Sequence, residues 1–318
     1  MIPNLKPNLV IGYSPLKKPC FVAINHSWAL VLPKSGEPEN PGGLVSKRLT
    51  ASELESYQQD GVLFPISVLD QDEVTGFRSC LEKLENRLGG APKSHELSQC
   101  HLHFAWAYRL VSHPRILDAV EDVIGPNIVV HATSIFQKRP YDATFVSWHQ
   151  DGYYLNLDQP DFVSAWVALT NSNTENGCMR VVRTSHRNGS FPHANSAKHE
   201  ENLLASGLEI AVAVEESEAT DVVLQPGEMS LHHVNIVHGS NPNRSSTTRA
   251  GFAIRYVAPH VAQDRPHFPV MLVRGEDRYG HFELQNHPPG DDFEQSVVAL
   301  RQFSANLTAR RQATGWKG

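Results

Sequence analysis

The chain has 318 residues, with 28 Lys and Arg against 34 Asp and Glu, a formal net charge of −6 and a pI near 6.3. That length fits one large domain or two modest ones, and the charge balance offers no basic field for nucleic acid. No apolar run approaches the roughly 20 residues that cross a bilayer, so no membrane span is expected.

The four cysteines, Cys20, Cys80, Cys100 and Cys178, lack C-x-x-C spacing. Neither a thiolate zinc site nor a disulfide framework is written in them, and a reduced, cytoplasmic chain is expected. The start "MIPNLKPNLVIGYSP" has no secretory pattern, and the end "TGWKG" is no peroxisomal address.

Residues 1–47 carry several Pro and Gly and read as an extension of unassigned role, followed by one domain over 48–318. Thr50 with Glu53 three residues on has capping-box spacing and predicts a helix through "ASELESYQQD". "DQDEVTGFRSCLEKLENRLGG" and "HPRILDAVEDVIGP" predict two more, each closed by glycine. From residue 127 the texture changes to short β-branched and aromatic runs: "NIVVHATSIFQK", "TFVSWHQ", "DFVSAWVALT", "GCMRVV", "TDVVLQPGEMSLHH", "NIVHGS" and "RAGFAIRYVAP". Short strands at close spacing predict a mainly β fold with flanking helices, its core a double-stranded β-helix of the jelly-roll, cupin-like kind.

Three His-x-acid pairs occur, where composition alone supplies about two. His199/Glu201 lies in a charged, solvated segment, and His281/Glu283 follows the last expected barrel strand. His149/Asp151 closes a strand and opens the turn "DGYY", which places both side chains at a barrel mouth. His238 ends a later strand, and Arg249 opens the next one eleven residues on. Two His and a carboxylate make the facial triad of non-heme Fe(II) oxygenases, with open positions on one side. An adjacent Arg suits the distal carboxylate of a keto acid, because its planar fork pairs with carboxylate bidentately.

These residues resemble the Fe(II)/2-oxoglutarate-dependent oxygenases, and within them the phytanoyl-CoA dioxygenase family. The likeness rests on H-Q-D at 149–151, "VSAWVAL", "ENGCMRVVRTSH" at 175–186, "LQPGEMSLHH", and His238, Ser240 and Arg249, across roughly residues 48–285. The resemblance implies iron on His149, Asp151 and His238, with the oxoglutarate carboxylate on Arg249 and Ser240. It sets Gln137 and Trp166 near that cosubstrate, although Trp166 also reads as core packing. It further implies O2 as second cosubstrate, support by ascorbate in vitro, and hydroxylation of an unactivated C–H of a small molecule with release of succinate and CO2. Relatives that halogenate carry Ala or Gly where this chain has Asp151. Desaturation, epoxidation or halogenation, a cupin-type hydrolase or isomerase, and a non-catalytic metal-binding jelly roll are the alternatives. Arg249 argues against the last, since a structural metal needs no carboxylate clamp.

Parity puts Arg249, Gly251, Ala253 and Arg255 on one strand face. An inward Arg255 needs a counter-charge, either a core acid or an anionic substrate. Tyr153, Tyr154, Phe104 and Trp106 are candidate pocket aromatics, competing with plain packing. Arg180, Arg183 and His186 divide between turn-stabilising and pocket roles, and Tyr279 and His281 between a lid and a buttress. His232 shares parity with His238 whereas His233 faces outward, and His101 and His103 read as wall or core. The segment 187–207 is the long insertion suited to covering a substrate. Neither the substrate nor the oligomeric state is readable.

Overall fold

The computed structural model describes residues 46–314 apart from 91, 93, 156, 158, 196–200, 205–206, 264–268, 287 and 289–291. The expected extension thus lies almost wholly outside the described residues, as does His199. All elements below belong to the unit Val45–Gly318.

The helical first part begins with α1 (Ala51–Asp60), where Thr50 and Glu53 close the capping box and Gly61 ends the helix in the left-handed region. Strand β1 (Val62–Ser67) follows, then α2 (Gln71–Arg87), whose Asp70 and Glu73 form a second capping box. Two shorter helices, α3 (Ala105–Val111) and α4 (Pro114–Ile124), lead into the strands. Pro114 opens α4, where its missing N–H has no role to lose.

The strands are β2 (Ile128–Lys138), β3 (Val146–His149), β4 (Phe162–Ala168), β5 (Met179–Val182), β6 (His193–Asn195), β7 (Leu208–Ile210) and β8 (Thr220–Val222). They continue with β9 (Glu228–His233), β10 (Val237–Ser240), β11 (Arg249–Val257), β12 (Pro269–Arg274) and β13 (Glu283–Leu284), before helix α5 (Phe293–Thr314). They form a seven-stranded sheet, β1-β9-β4-β11-β2-β12-β13, a four-stranded sheet, β3-β10-β5-β8, and a β6-β7 hairpin. Every pair is antiparallel except β12 with β13. One cavity takes side chains from both larger sheets, and this is the expected jelly roll with flanking helices.

The outer face of the seven-stranded sheet carries the main core. Phe252, Ile254 and Tyr256 of β11 pack with Ile116, Leu117 and Val120 of α4 and Leu81 and Leu84 of α2, all nearly inaccessible to water. Burying such side chains contributes about 1.5–3 kcal/mol each. Alternation then turns Arg249, Gly251, Ala253 and Arg255 to the inner face, toward the second sheet. Seven elements go beyond the sequence expectation: the strands β1, β6, β7, β12 and β13 and the helices α3 and α5. Among the described residues no helix is long and apolar enough to cross a membrane.

Candidate metal centre

His149 ends β3, and His238 stands directly opposite it on β10. This cross-strand pairing brings the two imidazole rings to 4.0 Å between centroids. Each ring bonds through Nδ1 to the carbonyl two residues back on its own strand, His149 to Ser147 at 2.9 Å and His238 to Ile236 at 3.1 Å. A carbonyl only accepts, so Nδ1 carries the proton in both rings and Nε2 keeps its lone pair. Burial holds both imidazoles below the ordinary histidine value, furthest for His149, which also has His238 beside it. A neutral imidazole whose Nε2 keeps its lone pair is what a divalent metal takes.

Asp151 opens the short 3₁₀ turn Asp151–Tyr154 immediately after β3. Its Oδ1 lies 3.9 Å from His149 Nε2, and one ligand atom from each of His149, Asp151 and His238 falls within 4.8 Å of the others. Burial alone would raise the Asp151 carboxyl, but the surrounding positive charge, Arg255 foremost, holds it far below the usual carboxylate range. A neutral, neutral, anionic donor set on one side of a cavity fits Fe(II).

Beside the triad lies a second charged group. Arg249 is 2 % exposed, and its Nε and Nη1 have no hydrogen-bond partner among the described residues. The guanidinium sits 4.3 Å over the Trp166 ring. A Cβ at Gly251 would come within 1.9 Å of that indole, so the glycine leaves Trp166 the space to lie there. Across the ladder from Arg249 stands Lys138, fully buried, donating to Ser240 Oγ at 2.6 Å and to the Asn241 carbonyl. Burial, then the Arg249 charge, pulls the Lys138 amine down to about 6, and burial pulls Arg249 to about 10. Two buried basic groups, one of them with two donors that meet no partner among the described residues, form a socket for an anion.

The triad, Arg249 and Ser240 line one cavity of about 450 Å³, its open mouth included, which His232 and Arg255 also line. Arg255 faces inward as parity required, and its counter-charge is Asp151: Nε and Nη2 donate to Oδ1 at 3.2 and 3.0 Å. The core-acid alternative therefore describes Arg255, and the acid is a member of the triad. His232 faces inward and His233 packs on His186 outside, as expected.

Other candidates fall elsewhere. Gln137 hydrogen-bonds Glu85 of α2 and points to the helical layer, while its neighbours Phe136 and Lys138 face the cavity and Ser240 respectively. The sequence reading was displaced by one residue there, and one residue reverses the face. Phe104 is 2 % exposed at the start of α3, packed on Trp106 and Phe293, and is no pocket aromatic. Tyr153 stacks on His193 with centroids 3.9 Å apart, at the hairpin and not in the cavity lining. The Tyr154 side chain lies outside the described residues. Arg180 pairs with Glu216, Arg183 with Asp60, and His186 with the Gln58 carbonyl, all structural roles. Tyr279 stacks on His281 and is 57 % exposed. His101 is buried against Thr133 in the core.

Gln150, between the two ligand positions of the motif, donates to the Gly189 and Asn235 carbonyls at 2.8 and 2.6 Å and accepts from Phe191 N at 2.7 Å. The long insertion is thereby tied to the triad turn. Sequence reasoning missed Lys138, whose only signal is an ionisable residue on the inward parity of an apolar strand, and Ser164, a plain serine in β4.

A jelly roll holding two neutral His, one carboxylate and an adjacent buried Arg defines a non-heme iron, 2-oxoglutarate-dependent oxygenase, with Fe(II), 2-oxoglutarate and O2 as its cofactor and cosubstrates. The family model for phytanoyl-CoA dioxygenase (PhyH) matches residues 57–251, and the chain belongs to that family. It is 31 % identical over 183 residues to a probable alpha-ketoglutarate-dependent hypophosphite dioxygenase from Stutzerimonas stutzeri, covering 58 % of this chain and 60 % of that protein. The match to the Bordetella parapertussis ectoine dioxygenase is 23 % identical over 237 residues, 67 % of this chain and 77 % of the relative. Among solved structures, the non-heme monooxygenase ThoJ, in its apo form, superposes with a TM-score of 0.67 at 34 % identity, covering 81 % of this chain and 99 % of that one.

Proposed function

We propose that His149, Asp151 and His238 hold the iron, that Arg249, Lys138 and Ser240 receive the distal carboxylate of 2-oxoglutarate, and that the enzyme hydroxylates a small anionic molecule. The catalytic unit is read as residues 48–318, with no role given to the first 47. The observation that carries the reading is the buried Arg249, with two donors that meet no partner among the described residues, beside two imidazoles that carry their proton on Nδ1. When bound, iron with oxoglutarate supplies the oxidation: substrate C–H, O2 and oxoglutarate become substrate C–OH, succinate and CO2.

The chain's own residues do the rest. Arg249 presents parallel N–H groups to one carboxylate, and an arriving anion restores the charge that burial removes from Lys138. Trp166, its ring 4.3 Å from the guanidinium, covers one side of Arg249. Asp151 supplies the anionic ligand, which leaves no vacancy for a halide and supports oxygenation over halogenation.

Charge supports an anionic substrate. Fe(II) and doubly negative oxoglutarate cancel, while among the described residues Arg249 and Arg255 face a single lining carboxylate, Asp151. The remainder is positive, and in a low-dielectric cavity that excess favours an anion. The name of the hypophosphite-acting relative agrees with a small oxyanion. The buried thiols Cys100 and Cys178 support a reducing, cytoplasmic setting.

The test is O2 uptake by the Fe(II)- and oxoglutarate-loaded enzyme against a panel of small anions, hypophosphite included, and their neutral isosteres, with product mass read alongside. An anion that stimulates uptake and gains one oxygen is the expected result. Stimulation by neutral or cationic compounds alone would overturn the anionic reading.

A further inference from the structure

Asp151 rests on a row of side chains that crosses three adjacent strands. In the ladder, His232 of β9 stands opposite Ser164 of β4, and Ser164 stands opposite Arg255 of β11. All three face the carboxylate. Ser164 Oγ donates to Oδ2 at 2.6 Å, the Arg255 fork donates to Oδ1, and His232 Nε2 stands 3.9 Å from Oδ2, outside hydrogen-bonding distance. The two oxygens are therefore inequivalent: Oδ1 looks toward His149 Nε2, and Oδ2 is held on the sheet. Ser164 is 1 % exposed, so the bond is shielded from bulk solvent.

The geometry points to Ser164, braced by Arg255, as the positioning residue that restricts Asp151 to one-oxygen ligation of the metal. The inference rests on the iron reading above. Its consequence is a count of positions. A triad with a one-oxygen carboxylate leaves three places on an octahedral metal, two for the keto acid and one for O2. A carboxylate free to turn and chelate with both oxygens fills one of these, and the place for O2 is lost while the keto acid still binds.

The experiment compares crystal structures and cobalt(II) titrations of the full chain, wild type against Ser164→Ala, with Ser164→Thr as the rescue that keeps the hydroxyl. Ser164→Cys, a weaker donor of similar size, substitutes if the alanine variant does not fold. The expected result is one Asp151 oxygen at about 2.1 Å from cobalt in the wild type and the threonine variant, and both within bonding distance in the alanine or cysteine variant. Oxoglutarate affinity of the cobalt protein stays level, and succinate formation by the iron-loaded alanine or cysteine variant falls about 10- to 100-fold. A one-oxygen carboxylate in the alanine or cysteine variant, or a chelating one in the wild type, overturns the inference and leaves the iron reading standing. Cobalt bound away from His149 and His238 overturns both.

Discussion

Arg249 is the residue on which cosubstrate binding turns. Hydrogen bonds to charged groups contribute about 1.5–3 kcal/mol each, so Arg249→Met is expected to weaken oxoglutarate binding about 100-fold. Titration of the metal-loaded variant with oxoglutarate checks this, and metal affinity itself should be unchanged. Gly251→Ala acts on the same socket from behind. The added methyl meets the Trp166 ring, and overpacking of this kind costs about 1–3 kcal/mol, read as a lower urea midpoint together with weaker oxoglutarate binding. The triad was legible because an imidazole and a carboxylate two residues apart keep the same face, and because His238 and Arg249 end and begin neighbouring strands. Lys138 was not legible. A lysine closing a strand reads as solvent-facing until its ladder partner is known, and that partner is Arg249.

At the level of elements, Gln150 joins the triad turn to the insertion after β5. Gln150→Leu removes the partners of the Gly189 and Asn235 carbonyls and of Phe191 N. A group left buried and unpaired costs about 1–3 kcal/mol, so faster limited proteolysis within 187–210 is expected, with the helical layer unaffected. The capping boxes of α1 and α2 were readable because they are local, three residues apart. The strand β1 was not, since "VLFPIS" carries a proline, which a sheet tolerates at an edge, and β1 is an edge strand. Helix α3 has only seven residues, too few for a period to declare itself.

The molecule as a whole is rich in buried, neutral histidine. Burial holds His101 down to about 3 and His103, His131 and His233 down to about 4, against an ordinary value of 6.5. A group whose folded value lies below its unfolded one favours folding fully above the unfolded value and loses that contribution as pH falls toward the folded value. The metal-free protein is therefore expected to lose stability between pH 6.5 and about pH 4, by up to about 1.4 kcal/mol per pH unit for each such histidine. Urea midpoints at pH 7, 6 and 5 read this directly, and a flat profile would contradict it. The jelly roll was legible from the run of short strands after residue 127, because alternation and turn residues are written locally. The row His232, Ser164, Arg255 was not, because it is a property of register across three strands that lie far apart in sequence.

The cavity that joins the triad to Arg249 is proposed to work as a single iron and oxoglutarate centre. Succinate formed from oxoglutarate under air, with Fe(II) and ascorbate, measures it most directly in the wild type and in His149→Ala, His238→Ala and Arg249→Met. Succinate from the wild type that needs added iron and falls to background in the three variants is the expected result. No succinate from the iron-loaded wild type, or undiminished succinate from the His149 and His238 variants, would contradict it.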